Sequence, residues 1–131
     1  MRPPLALLLL LLVPLCSFAA EEKPAAAPKP KQFVYVLKLA PRLHDDNAWT
    51  DADKKAIGTH FARLKAATAE GRVILAGRTL EPGSKTFGLV IFEAADEPAA
   101  TTFMQSDPAV VAGIMSATLH PYQIALQRAA K

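Results

Sequence analysis

Apolar residues recur along this chain in two rhythms, and each change of rhythm marks an element. From Gln32 to Leu39 the period is two. Phe33, Tyr35, Leu37 and Leu39 fall on one face and Val34 and Val36 on the other, which predicts a strand apolar on both faces. Ala40 to Trp49 breaks the pattern with Pro41, His44, Asp45 and Asp46 and reads as a polar loop. The period then lengthens to that of a helix. Thr50 can cap its first turn, Asp53 three residues on completes a capping-box pattern, and Asp51 and Asp53 place negative charge at the positive end of the helix dipole. Ile57, Phe61, Leu64 and Thr68 form one stripe, and Gly71 ends the helix where a left-handed residue is wanted. At about 100° per residue His60 lies roughly 60° from Ile57, on the flank of the stripe and toward the edge of the core.

Val73-Ile74-Leu75-Ala76 follows as an unbroken apolar run, the pattern of a strand covered on both faces. The turn Glu81-Pro82-Gly83-Ser84 leads into a third strand, Thr86 to Glu93, and the short spacing predicts an antiparallel hairpin. Asp96 and Glu97 start a second helix that runs to about Ser106, with Pro98 tolerated in its first turn. Asp107-Pro108 starts a short third helix, with Val110, Val111, Ile114 and Met115 as its apolar face. Thr118 to Leu126 reads as the last strand, placed at an edge by Pro121. Gln127 to Lys131 is a loose tail.

The order β-α-β-β-α-β is the split βαβ arrangement of ferredoxin-like α+β domains. Both helices of that fold cover one face of the sheet, yet strands one to three are apolar on the other face too. That surface needs a cover. A second copy placed face to face, closing a two-sheet dimeric α+β barrel, is the economical one; a ligand or a membrane are the alternatives.

The remaining segments set the context. Residues 1–19 carry a short positive start at Arg2, an apolar run from Leu5 to Leu15 and Ser17-Phe18-Ala19. This is the form of a signal peptide cleaved after Ala19, and the run is too short for a membrane crossing. Retention as an uncleaved anchor is the competing reading. Lipidation at Cys16 is disfavoured by the bulky Leu15. The expected location is therefore the periplasm or the exterior, with no stable membrane span after cleavage. Residues 20–31 read as a flexible Pro/Ala/Lys linker and 32–127 as the folded domain. Cys16 is the single cysteine, so the mature chain would have no disulfide, thiolate metal site or cysteine nucleophile. Without Arg2 the mature chain has 14 basic against 12 acidic residues, dispersed along its length. Nucleic-acid binding needs a concentrated positive face, and none is present.

The run THFARLKAATAEGRVILAGRT, then SDPAVVAGIM, then HPY, resembles the YCII-related (YciI-like) proteins from Phe33 to Leu126. The matching features are His60 in the helix, Gly77 after the second strand, the pair Asp107-Pro108, and His120-Pro121-Tyr122. The resemblance implies the dimeric α+β barrel and an active-site pair formed by His60 and Asp107. An imidazole beside a carboxylate can act as a general base near neutral pH. Capping alone would also explain an Asp before Pro, and His60 would then be a satisfied histidine at the core edge. Arg78 could meet an anionic ligand, and Tyr35 and Trp49 could line a small-molecule pocket, although each also suits surface, core or interface. Gly77 reads as a site of close backbone packing. His44, Asp45 and Asp46 are too local for a metal site and read as exposed loop. Ser84, Ser106 and Ser116 sit in no nucleophile motif.

Two functions follow. One is an exported, cofactor-free enzyme using His60 and Asp107 in elimination or hydrolysis of a small molecule, aromatic compounds included. The other is a non-catalytic dimeric module that binds a small molecule in the same pocket.

Overall fold

The computed structural model describes residues 26–129; the proposed signal peptide and the first part of the linker lie outside them. Four strands form one antiparallel sheet in the order β2-β3-β1-β4. The strands are β1 (Lys31–Leu39), β2 (Val73–Arg78), β3 (Gly88–Ala94) and β4 (Met115–Tyr122), and the helices are α1 (Asp51–Ala69), α2 (Glu97–Gln105) and the single turn α3 (Pro108–Val111). The sequence-predicted ferredoxin-like order is the observed one, and β2 and β3 pair as an antiparallel hairpin. Strand β1 begins at Lys31, inside the segment read as linker.

The two rhythms of β1 sort the sheet into faces. Phe33, Tyr35 and Leu37, with Val90, Phe92 and Ala94 of β3, are buried against Leu64 and Ala67 of α1 and Ala100, Phe103 and Met104 of α2. Burying each of the larger side chains contributes about 1.5–3 kcal/mol. Phe92 anchors the layer. Its ring lies 4.8 Å from that of Phe103 and meets Tyr35 edge-on at 5.6 Å. A second cluster, Leu43, Ala109 and Ile114, seals the end of the domain where the loop after β1 meets α3.

Helix α1 starts as read. Thr50 Oγ1 accepts from the Asp53 amide and the Asp53 carboxylate accepts from the Thr50 amide. The helix closes at Gly71, whose φ of 80° costs a glycine little. The inward stripe differs from the expected one. Asp53, His60, Leu64 and Ala67 are buried, whereas Phe61 is 68% exposed and Thr68 turns its hydroxyl back to Leu64 O. His60 thus lies in the buried stripe itself rather than on its flank. The substitution of polar for apolar residues on that stripe is possible because Asp53 and His60 both find partners from outside the helix.

Three other expectations shift. Strand β2 is not covered on both faces in the single chain: it is an edge strand, Val73 is buried, and Leu75 is 54% exposed. Strand β4 begins at Met115, three residues earlier than read. Gly113, at φ 68°, ends the α3 turn, and Met115 pairs at once with Leu39. Gly77 is not a point of tight packing, since a Cβ there would meet nothing within 4 Å; the close approach is at Gly88, whose Cβ would lie 3.4 Å from that of Leu37.

Candidate active site

The loop from Ala40 to Trp49 is built, not slack. It folds into two 3-10 turns, Pro41–His44 and Asp46–Ala48. Leu43 is driven into the second core cluster, and Trp49 Nε1 donates to Leu43 O at 3.2 Å. Arg42 grips the Asp53 carboxylate with both guanidinium nitrogens, at 2.9 and 2.6 Å. Those bonds, with the Thr50 contacts behind them, hold the Asp53 carboxyl well below the usual carboxylate range.

This loop, the front half of α1, the turn after β2 and the helix-side face of the sheet enclose a cleft of about 670 Å³. Its walls are mostly apolar, including Leu37, Leu43, Ile57, Phe87 and Met115. His60 lines it, and so do Trp49 and Arg78. Tyr35 does not. It was read as a pocket residue, but its inward face places it under the cleft, fully buried, with its hydroxyl donating to Asp107 Oδ2 at 2.8 Å.

Asp107 is the hub. It stands between α2 and α3, fully buried. Its Oδ1 accepts from the Ala109 amide at 2.9 Å, so it caps α3, and lies 2.7 Å from His60 Nδ1. Capping and pairing are therefore both true of one oxygen. Burial acts to raise the Asp107 pKa, but the hydrogen bonds from His60, Tyr35 and the Ala109 amide outweigh it and hold the carboxyl below its ordinary value. An ionised carboxylate can only accept, so the imidazole proton sits on Nδ1 and His60 donates it. In the neutral ring Nε2 is then left with a free lone pair. It has no hydrogen-bond partner among the described residues, and the one fully buried side-chain polar atom lacking a partner there is Arg63 Nη1. Nε2 therefore keeps contact with open space, on a residue that lines the cleft.

Tyr35 is forced to stay neutral. Burial, then the Asp107 charge and hydrogen bond, push the phenol well above its ordinary value, with Arg63 opposing. An unfolded tyrosine ionises near pH 10, so above that pH the unfolded chain holds fewer protons and folding stability falls as pH rises. In urea melts the wild type is expected to lose up to about 1.4 kcal/mol per pH unit above pH 10 from this group. Tyr35→Phe should remove that slope while costing about 1.5–3 kcal/mol at pH 7 for the lost bond to a charged acceptor. An unchanged alkaline slope in the variant would assign the loss elsewhere.

Arg63 was missed by sequence reasoning, which singled it out for no role. It is one helical turn beyond His60, and positions three apart share a face; that spacing was the available signal. The tyrosine hydroxyl had one as well, because a buried phenol on an inward strand position needs a polar partner.

An α+β domain in which a buried carboxylate orients a histidine at the wall of an apolar cleft defines the class. The particular family comes from the sequence: the profile of the YCII-related domain matches residues 35–119, and the chain belongs to that family. No curated protein matches it. Among solved structures, the 5-chloro-2-hydroxyhydroquinone dehydrochlorinase TftG of Burkholderia phenoliruptrix AC1100, in complex with 2,5-dihydroxybenzoquinone, is similar at TM-score 0.49 and 19% identity, over 70% of this chain and 93% of that chain.

Proposed function

We propose that this YCII-related protein is an acid/base enzyme acting on a small molecule held in the cleft, with His60 as general base and Asp107 as its partner. The carrying observation is the 2.7 Å contact between His60 Nδ1 and an otherwise fully bonded carboxylate, which leaves Nε2 free at the cleft. In the reaction Nε2 takes a proton from a substrate carbon, or from a water that attacks the substrate. Asp107 stays ionised and stabilises the imidazolium. The proton then passes to the departing group, completing an elimination or a hydrolysis, and the protein's own side chains suffice for these steps. Trp49 and Phe87 on the wall give flat aromatic molecules a surface to stack on. Arg78 at the same cleft is available to an anionic substituent.

The chain would work outside the cytoplasm, delivered by the leader at residues 1–19, and as a homodimer. No described helix is long and apolar enough to cross a membrane. The sheet face away from the helices carries Val34, Val36, Leu75, Leu89 and Ile91, as the pairing register and the inward positions of Phe33 and Phe92 require. Val34 is already buried in the single chain; a second copy laid on that face would cover the other four.

A thermal-shift screen of small aromatic acids, phenols and quinones on wild type and His60→Ala tests the site. A compound at a hundred times its Kd stabilises by about 2.7 kcal/mol, and the expected hits lose that shift in His60→Ala. Compounds that stabilise both proteins equally, with no turnover, would make the domain a binding module.

A further inference from the structure

Arg63 has a geometry that neither surface solvation nor simple helix stapling explains. Its side chain is 24% exposed. One nitrogen, Nη2, donates to Phe103 O and to Ser106 Oγ, each at 2.8 Å. The guanidinium lies over the Phe103 ring at 4.2 Å, so its plane is fixed by three contacts from α2 and the residue that follows it. Those contacts would be enough to tie α1 to α2. The other nitrogen, Nη1, is fully buried without a hydrogen bond among the described residues. It lies 3.8 Å from Asp107 Oδ2. A buried N–H left unbonded is costly, and here it faces a carboxylate that is itself wholly buried.

We infer that Arg63 is a positioning residue of the His60–Asp107 pair: its pinned guanidinium faces the far side of the Asp107 carboxylate, with Oδ2 turned to Arg63 and Tyr35 and Oδ1 left for His60. The inference rests on the reading of His60 as the base and adds what governs that base. A carboxylate beside an imidazole stabilises the imidazolium, and alone would hold the captured proton. A fixed cation on the far side of the same carboxylate opposes a second positive charge nearby, so the imidazolium can give its proton up. The contacts to Phe103 and Ser106 matter because an unpinned arginine would swing out to water and be screened. Phe103 is thereby more than core: it carries the guanidinium on its face, and Arg72 lies over the same ring at 4.7 Å.

The test is the titration of His60, followed by imidazole NMR on the full chain, which requires no substrate. Around His60 the ionisable groups are Asp107, Tyr35 and Arg63 in the cluster, and His44, Asp46, Arg78 and Glu81 about the cleft. All but Arg63 are common to the proteins compared. Arg63→Gln should raise the His60 midpoint by roughly 1 pH unit, the low end of the effect of a neighbouring charge. Arg63→Lys, which keeps the charge, should return most of that shift. In the wild type the Arg63 Nε resonance should follow the His60 midpoint. A folded Arg63→Gln with an unmoved midpoint overturns the inference; if that variant does not fold, a wild-type Arg63 resonance that stays flat through the titration overturns it instead. Should the shifts appear while no compound binds at His60, the inference stands and the catalytic reading fails.

Discussion

Asp107→Ala is expected to cost roughly 3–5 kcal/mol of folding stability, the range for removing one partner of a buried charged cluster. The reason is what stays behind. His60 Nδ1, the Tyr35 hydroxyl and the Ala109 amide all direct hydrogens at this carboxylate, and Arg63 Nη1 faces it at 3.8 Å. Deleting it strands three donors and a cation in a place water reaches poorly, and α3 loses its cap. Against a total of about 5–15 kcal/mol for a domain, that is a large share. Asp107→Asn separates the contributions. The amide keeps the shape and one acceptor oxygen, so a loss of about 1–3 kcal/mol is expected. It no longer offsets the imidazolium, so turnover of any substrate should fall by two to four orders of magnitude, the full contribution of a general base. The sign with pH follows from the depressed Asp107 pKa. The stability it contributes is complete above the unfolded value near 4 and is lost as pH falls through the lower folded value. The part of the gap between wild type and Asp107→Asn that comes from this carboxylate's own titration should therefore shrink in urea melts as pH falls below about 4. A gap under 0.5 kcal/mol at pH 7, where surface changes lie, would mean that the carboxylate is not bonded as described.

Local signals carried most of the fold, because the elements here announce themselves at their ends. Thr50 with Asp53, Gly71, Asp96 and Asp107-Pro108 each cap or close a helix where the sequence pattern put it, and Pro121 lies on an edge strand. The inward stripe of α1 was legible only in part. A rule that sends apolar residues inward chose Phe61 over His60, and the structure does the opposite. The partner that makes a buried His60 tolerable comes from 47 residues away, and the one for Asp53 from 11 residues back. Periodicity sees neither. The same holds for Tyr35, whose partner is 72 residues on. The pair His60 and Asp107 was reached through family resemblance, and the structure brings the two together; Tyr35 and Arg63, which complete the cluster, belong to no motif that was weighed. The span of β4 was misjudged for a related reason: Met115 continues the apolar pattern of α3, and only its pairing with Leu39 shows that the strand has begun.

Ile91→Lys is expected to convert the proposed dimer to a monomer in light scattering while leaving the domain folded. The argument begins from register. Phe92 pairs with Phe33 in the core, so Ile91 and its partner Val34 point to the other face, together with Leu89 and Val36 one pair along. Leu75 pairs with Ile91 from the other side and is 54% exposed in the single chain. Five aliphatic side chains thus gather on β2, β3 and β1. The β4 positions opposite Val34, Val36 and Lys38 are His120, Thr118 and Ser116, which give the patch one polar border, as an interface core with a rim would have. Twofold pairing of two such faces buries each aliphatic patch on its copy. A lysine at 91 then enters the interface twice, near the centre, where its charge must be desolvated even though Glu93 lies two residues along the same face of β3. At about 2 kcal/mol for each of the two desolvated charges, the dimer should weaken by roughly several hundredfold. Because Ile91 makes no part of the helix-side core, the monomer should keep its circular dichroism. Thr118→Lys, on the polar border, should leave the dimer nearly unchanged, since rim charges contribute little. A wild-type chain that scatters as one copy, or an Ile91→Lys variant that remains dimeric, would require another cover for this face, and the barrel would not be the assembly.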